Sequence, residues 1–261
     1  MKEVALKPTY WASVSGGKDS LYMLNLILHN LDKYPLNGVV HFELEIDFPF
    51  IKNVIDYMES ECKKYGIPFI RIKPRKSWYE LYEKYKMPNR KVRWCNSKYK
   101  MDAQIQFNEM QKKIGYNAIY YIGYCVDEER RYSSKSILNE RYPLVEENIY
   151  ESTILEWAKN VPIFNDYYKF VSRCGCMYCP MNSMASYAYL CKYYPENYNF
   201  LMKCLKETEE FYSKKKKGSY KFKGDYSIEY LDHLIKTKYV PILETTLKSE
   251  QISLFEEDKK C

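Results

Sequence analysis

A short run near the amino terminus combines residue types that bind phosphate. Residues 15–20 read Ser15-Gly16-Gly17-Lys18-Asp19-Ser20. Two glycines let the backbone turn sharply and approach a ligand, and a lysine supplies positive charge. The run follows an apolar segment and precedes leucines at helical spacing, which predicts a strand-to-helix turn. Because free amides and the helix dipole favour an anion there, we expect a phosphate site.

The order of residues separates this turn from two common phosphate-binding loops. It does not match GxxxxGK followed by Ser or Thr, and it does not match GxGxxG. The alternative interpretation is an ordinary glycine turn whose helix is capped by Asp19 or Ser20. The strand before the turn and the helix after it favour the phosphate site.

Strand-like and helical segments alternate through the first half of the chain. Apolar, strand-like runs cover residues 10–14, 39–46, 67–72 and 117–123. Alternation with helices predicts an α/β fold with a parallel sheet and right-handed crossovers. In such sheets ligands bind beyond the carboxyl ends of the strands, where the loop at 15–20 would lie. We expect a nucleotide-binding α/β domain at 1–150, and a cysteine loop with a helical appendage at 151–261.

Three of the nine cysteines lie within six residues. Cys174, Cys176 and Cys179 form CxCxxC with a glycine inside and a proline directly after it. Such loops are typical of iron-sulfur and zinc centres, in which thiolates converge on one point. The alternative is three structural cysteines without a metal, and the close spacing argues against it.

The run at 15–20 resembles the SGGKDS signature of the PP-loop ATP pyrophosphatases. This superfamily includes adenylate-forming amidotransferases, tRNA thiolation enzymes and phosphoadenosine phosphosulfate (PAPS) reductases. From about Tyr10 to Pro180 the chain is similar to the PAPS reductase branch. The similarity is carried by the segment at 39–49, by Arg93-Trp94-Cys95 with Lys100, by the DExxR-like stretch at 127–131 and by Tyr142-Pro143-Leu144. The family's Asp-Thr-Gly after the second strand is replaced here by Glu43-Leu44-Glu45.

The resemblance implies roles for several residues. The loop and Glu43 would bind ATP or a related adenylyl nucleotide with Mg²⁺, while Lys18 and Asp19 would act at its phosphates. Arg93 and Arg131 would hold the anionic end of the substrate. Each site also has a simpler interpretation: a basic surface segment around Arg93, and a charged loop with local Glu and Arg pairs around Arg131.

The resemblance also suggests a fourth thiolate. The separation of Cys95 from Cys176 is similar to that between the cysteine motifs that hold a 4Fe-4S cluster in assimilatory sulfonucleotide reductases. This chain departs from that pattern, because it has one cysteine at the first motif and gains Cys174. The set Cys95, Cys174, Cys176 and Cys179 restores four ligands. Zn²⁺ fits the same thiolates, so the sequence leaves the two centres open.

We therefore expect an enzyme that uses ATP for adenylation-dependent sulfur transfer to an acceptor. Its partners would include a nucleic-acid acceptor and either a sulfur donor or a thioredoxin-like reductant. The alternative reaction is reduction of PAPS or APS, but the family's ECGxH motif is missing and only Cys261 offers a terminal thiol. An alternative of another class is a non-catalytic protein that binds nucleotide or nucleic acid.

Composition sets broad limits on these expectations. The 261 residues carry a formal net charge of +7, which permits a polyanionic partner without requiring one. The amino terminus lacks the apolar segment of a signal peptide, and no run of residues has the length and apolarity of a membrane span. We expect a cytoplasmic protein without a membrane partner.

Overall fold

The computed structural model describes residues 6–133, 139–215 and 220–246. The chain forms two compact units. Of the described residues, the first unit contains those within 6–78 and 95–166, and the second contains those within 79–94 and 167–246. This division differs from the boundary expected at residue 150, because residues 79–94 belong to the second unit and residues 151–166 to the first. Cys261 lies outside the described residues.

A five-stranded parallel sheet forms the centre of the first unit. Its strand order is β3-β2-β1-β4-β5. The strands are β1 (Lys7–Val14), β2 (Gly38–Phe42), β3 (Phe69–Ile72), β4 (Tyr116–Tyr121) and β5 (Glu140–Arg141). The central position of β1 places the loop after it between the ends of β2 and β4. This is the position at which a parallel sheet binds its ligand.

Helices connect the strands and cover the sheet. The bounds in the first unit are α1 (Lys18–Leu28), α2 (Pro49–Lys64), α4 (Met101–Lys113), α5 (Glu129–Tyr132), α6 (Pro143–Glu146) and α7 (Glu151–Lys159). A π-helical turn, Cys95–Lys100, leads into α4, and helix α3 (Trp78–Tyr85) begins at the boundary between the units. Pro49 begins α2, where its missing amide hydrogen costs nothing.

One face of the sheet packs against α4 through a cluster of buried side chains. The cluster contains Trp11, Val40, Phe42, Ala103, Phe107, Ala118 and Tyr120. The ring of Phe107 meets that of Trp11 edge to face at 4.8 Å between centroids. Aromatic pairs in this geometry contribute beyond their buried area. The cluster fixes the helix that connects β3 to β4.

The second unit is helical. Its helices are α8 (Tyr167–Phe170), α9 (Met184–Tyr193), α10 (Pro195–Lys214) and α11 (Ile228–Leu234), with a π-helical turn at Ile235–Tyr239. Residues 79–94 join it through specific hydrogen bonds. Tyr82 Oη donates to Glu207 at 2.6 Å, and Met87 N donates to Thr208 Oγ1 at 3.1 Å. These bonds explain why a segment between β3 and β4 packs with helix α10.

The predicted α/β class is confirmed, with a helical carboxyl-terminal part. All four expected strands are present, although β2 ends at Phe42 where the sequence pattern continued to residue 46. The short strand β5 was not predicted, since two residues carry no periodicity. In the described ranges, none of the helices has both the length and the apolar character needed to cross a bilayer.

Substitution of Phe107 by Ala tests the packing of α4 on the sheet. Phe107 is fully buried between Trp11 and Tyr120. We expect the free energy of unfolding to fall by about 3–5 kcal/mol, because the change removes apolar contacts and leaves a cavity. Chemical denaturation measures the difference. An Ile105→Ala variant is the control, since Ile105 is exposed on the same helix. A loss below about 1 kcal/mol for Phe107→Ala would contradict this packing.

Candidate functional site

The loop between β1 and α1 is held in a tight turn by its own side chains. Gly16 has a φ of +75°, and a Cβ placed there would lie 2.6 Å from Ile51 Cγ2. Glycine meets both constraints. Ser15 N donates to Ser20 Oγ at 3.2 Å, and Ser20 Oγ donates to Gly17 O at 2.9 Å. The two serines therefore close the loop across its glycines.

A second glycine lets another loop approach the start of α1. Gly123 follows β4, and a Cβ on it would lie 2.9 Å from the carbonyl oxygen of Asp19. That atom belongs to the backbone and cannot rotate away. The backbone after β4 therefore passes directly beside the first turn of α1, which brings the segment at 125–131 next to the predicted phosphate loop.

His41 supports the loop from the neighbouring strand. Its side chain is 4% exposed, and its Nδ1 lies 2.9 Å from the carbonyl oxygen of Val14, the last residue of β1. Burial lowers the pKa of His41, although the bond to Val14 opposes the shift. The neutral imidazole with its proton on Nδ1 makes this bond. The end of β1 is thereby fixed directly before Ser15.

Lys18 is buried between two carboxylates. Its side chain is 1% exposed, and its Nζ lies 2.7 Å from Asp19 Oδ1 and 3.1 Å from Glu151 Oε1. Glu151 begins helix α7, far away in the sequence. A buried ammonium group needs a compensating charge, which these two carboxylates supply. The lysine predicted to bind phosphate is therefore held by ion pairs at the start of α1.

Asp19 lies among several ionisable groups. Burial raises its pKa, Lys18 opposes that shift, and the charges of Glu128 and Glu151 add to it. The Cys125 thiol lies 4.0 Å from Asp19 Oδ1, and burial is the main cause that raises the pKa of Cys125 to about 12. Cys125 therefore stays protonated and donates a weak hydrogen bond to the carboxylate.

The segment after β4 carries the predicted substrate arginine. Arg131 donates to Glu128 Oε1 at 2.5 Å, and its guanidinium lies 4.2 Å from the ring centroid of Tyr124. This is the local Glu and Arg pair that the sequence offered as the simpler interpretation. The pair also lies near the loop, since the charges of Asp19 and Glu128 both act on Arg131. Arg131 therefore belongs to the surroundings of Lys18, and its binding role stays a prediction.

The other predicted site residues are distributed over both units. Glu43 follows β2 and lies 3.5 Å from Lys73 Nζ. Glu45 has a structural role, because its Oε2 accepts a hydrogen bond from the backbone amide of Trp78 at 2.8 Å, at the start of α3. Arg93 belongs to the second unit. The structure thus groups residues 15–20 with Arg131 in one unit, while Arg93 stays a prediction.

Two acidic residues of this site were missed from the sequence. Glu151 contacts Lys18, and Asp127 Oδ1 accepts a hydrogen bond from the backbone amide of Glu151 at 3.0 Å. Asp127 thus satisfies a free amide at the first turn of α7. Asp127 begins the DExxR-like stretch, of which only Arg131 was given a role. The sequence signal at Glu151 was an acid in the first turn of a helix, which is common and has no specific meaning.

The CxCxxC loop of the second unit is tightly folded. Cys179 N donates to Cys176 O at 3.1 Å, and Asn182 Nδ2 donates to the same carbonyl at 2.8 Å. A Cβ on Gly175 would lie 2.4 Å from Asn182 Oδ1. Asn182 is buried and already hydrogen bonded, so a larger residue in place of Gly175 would displace it.

The four predicted cysteines supply the kind of side chain that a thiolate centre requires. Cys174, Cys176 and Cys179 are half-buried, as is Cys95, which belongs to the first unit. Thiolates are the ligands that iron-sulfur clusters and structural zinc prefer. Over residues 6–133, 139–215 and 220–246, no three His, Cys, Asp or Glu side chains are arranged to hold a metal ion. The four-cysteine centre therefore stays a prediction from the sequence.

A comparison with family models decides the classification. The model of the phosphoadenosine phosphosulfate reductase domain matches residues 9–182, which is more than half of the chain. The chain belongs to this family. The match covers the strand-to-helix loop, the CxCxxC loop and the sheet of the first unit from residue 9 onward. The resemblance to PP-loop proteins that residues 15–20 suggested is thereby confirmed.

Other similar proteins were found, and those described here do not identify the reaction of this chain. Two uncharacterized proteins of Methanocaldococcus jannaschii are 28% and 26% identical to this chain over 211 and 216 residues. These matches cover 74% and 78% of this chain, and 47% and 43% of the relatives, so the chain spans less than half of their length. Among solved structures, the U34-tRNA thiolase NcsA from Methanococcus maripaludis with its 4Fe-4S cluster aligns at 16% identity and a TM-score of 0.41. The alignment covers 77% of this chain and 72% of the thiolase.

Substitution of His41 by Asn tests the support beneath the loop. The pKa of His41 is lowered in the folded protein, so below about pH 6.5 the unfolded state binds a proton that the folded state resists. The wild type should therefore lose stability as the pH falls below that value, by at most about 1.4 kcal/mol per pH unit. The Asn amide keeps a donor to Val14 and does not titrate, so this variant should lose less.

The measurement is the free energy of unfolding from pH 7.5 to pH 5. A His233→Asn variant is the control, because His233 is an exposed histidine on α11. Equal pH dependence in the wild type and in His41→Asn would show that His41 is not buried in its neutral form.

Proposed function

We propose that the loop at residues 15–20 binds the phosphates of ATP or a related adenylyl nucleotide. The observation that carries this proposal is Lys18, a buried lysine in the first turn of a helix that follows the central strand of a parallel sheet. Backbone amides, the helix dipole and a fixed ammonium group then act on the same anion. Membership in the PAPS reductase domain family supports the assignment.

In this proposal the protein acts chiefly by positioning and by charge. Lys18 neutralises charge on the phosphates, and Asp19 holds its ammonium group in place. Arg131 leaves Glu128 to contact the anionic end of the substrate, and Arg93 is the second cation assigned to that end. Mg²⁺ accompanies the nucleotide. Fixed cations around a transferred phosphoryl group stabilise the charge that develops in the transition state.

The reaction that we favour is adenylation followed by sulfur transfer. An acceptor oxygen attacks the α-phosphate of ATP, the bond to the β-phosphate breaks, and pyrophosphate leaves. A sulfur nucleophile then displaces AMP from the adenylated acceptor. A nucleic acid is the acceptor class that we propose, since the net charge of +7 suits a polyanion. A separate sulfur donor completes the balance of this reaction.

The CxCxxC loop is the proposed place of a metal centre. Cys174, Cys176 and Cys179 would hold it, with Cys95 as the fourth thiolate. With these four ligands, a bound 4Fe-4S cluster would supply one-electron redox chemistry, and Zn²⁺ in the same place would stabilise the loop. The protein's own contribution is the turn around Cys176 O, which Asn182 stabilises.

The substitution Lys18→Met tests nucleotide binding. We expect ATP to bind the variant at least tenfold more weakly than the wild type, a loss of about 1.4 kcal/mol or more, because a fixed positive charge at the phosphates is removed. Calorimetric titration with ATP and Mg²⁺ gives the affinities. Lys113→Met is the control, since Lys113 is exposed on α4. Equal affinity of wild type and Lys18→Met would contradict the proposal.

Metal analysis of protein purified without oxygen tests the cysteine loop. We expect either iron with acid-labile sulfide or one zinc per chain in the wild type, and a loss of that metal in Cys176→Ala, because one thiolate is removed. Cys191→Ala is the control, since Cys191 lies in α9, outside the loop. Folded wild-type protein that binds ATP and contains neither metal would contradict the four-cysteine centre.

A further inference from the structure

We infer that Glu151 is a positioning residue that acts as the counter-ion of Lys18 in the absence of nucleotide. When a nucleotide binds, its phosphate takes the place of the Glu151 carboxylate on the Lys18 ammonium group. The inference rests on the proposed function, because it concerns the same site. It assigns a role to helix α7, which contains none of the motifs found in the sequence. It also gives the buried lysine a second carboxylate partner before its ligand arrives.

Asp19 and Glu151 differ in how they reach Lys18. Asp19 is its neighbour in the chain, at 2.7 Å, and belongs to the same turn of α1. Glu151 lies 133 residues later in the sequence and reaches Lys18 Nζ at 3.1 Å from another helix. Asp19 therefore accompanies the lysine in any state of the loop. Glu151 is a partner that the fold brings to the site, and it can be exchanged.

The start of α7 is fixed so that Glu151 reaches the lysine. Asp127 Oδ1 accepts a hydrogen bond from Glu151 N at 3.0 Å, and Val126 N donates to Ile149 O at 3.0 Å. Farther along the helix, the rings of Trp157 and Tyr22 meet edge to face at 5.2 Å. These contacts bind α7 both to the segment after β4 and to α1. The backbone of Glu151 is therefore fixed, and its side chain is the part that can move.

The local charge favours exchange when an anion enters. The carboxylates of Asp19 and Glu151 contact the ammonium group of Lys18, and the charge of Glu128 acts on Asp19 beside them. A phosphate that approaches this group is repelled by the carboxylates it meets. Glu128 is paired with Arg131, whereas the side chain of Glu151 is 25% exposed and can rotate into water. Its withdrawal removes a repulsive charge and frees a donor of Lys18 for the phosphate.

The exchange also selects ligands by charge. An intramolecular carboxylate acts at a high effective concentration, so a weak or neutral ligand cannot displace it. Phosphate groups with two or more charges can do so, because they interact more strongly with the ammonium group and with the helix dipole. A nucleoside without phosphate would leave Glu151 in place.

Titration with pyrophosphate in the presence of EDTA tests this inference. Pyrophosphate probes the phosphate subsite without a base, a divalent cation or turnover. We expect Glu151→Gln to bind it about three- to tenfold more tightly than the wild type, because one competing negative charge is removed. Glu156→Gln is the matched control. It makes the same change of charge on the same helix, at an exposed residue paired with Lys159, and should alter the affinity less than about twofold.

Two further variants tie the effect to the contact with Lys18. In a Lys18→Met background, Glu151→Gln should give no gain, since the ammonium group that the two anions share is absent. Glu151→Asp keeps the charge and shortens the side chain, which lengthens the contact, so it should also bind pyrophosphate more tightly than the wild type. This variant keeps the inference testable if Glu151→Gln fails to fold.

The outcomes separate this inference from the proposed function. If the wild type binds pyrophosphate and folded Glu151→Gln binds it equally or more weakly, the exchange is wrong and nucleotide binding stands. If Glu151→Gln binds pyrophosphate more weakly than the wild type only when Mg²⁺ is present, Glu151 acts through the cation, and the proposed exchange is also wrong. If the wild type binds neither ATP nor pyrophosphate, the proposed function and the inference both fail.

Discussion

The charge on one buried side chain constrains the whole site. An ammonium group that is almost completely removed from water is costly unless carboxylates lie against it. For Lys18 these carboxylates come from its neighbour Asp19 and from Glu151 on a distant helix. The elements between these two residues must therefore fold so that α7 returns to the start of α1. The segment after β4 enables this return, because Gly123 passes beside Asp19 and Asp127 caps α7.

The parallel sheet gives this ion pair its location. Strand β1 is central, so the loop after it lies between the ends of β2 and β4. His41 on β2 fixes the last carbonyl of β1, and Gly123 after β4 lets the neighbouring loop approach the first turn of α1. Both neighbouring strands thus support the loop before any ligand enters. A site formed in advance in this way spends little binding energy on ordering itself.

Much of the fold could be predicted from the sequence, because alternating strands and helices have distinct periodicities. The loop at 15–20 was identifiable for the same reason, since its glycines and lysine are consecutive in the chain. The contact of Glu151 with Lys18 and that of Asp127 with the start of α7 were not identifiable. Their roles depend on where α7 lies in space, and an acid in the first turn of a helix is too common to be informative. The packing of residues 79–94 with α10 had no sequence signal for a related reason: the bonds of Tyr82 and Met87 to α10 join segments more than a hundred residues apart.

A crystal structure of the protein with a non-hydrolysable ATP analogue and Mg²⁺ tests the central claim most directly. The account predicts a phosphate group of the nucleotide within hydrogen-bonding distance of Lys18 Nζ and of the backbone amides in the first turn of α1. It also predicts that the carboxylate of Glu151 has turned away from the lysine. A nucleotide bound elsewhere, with Lys18 still paired to both Asp19 and Glu151, would contradict it.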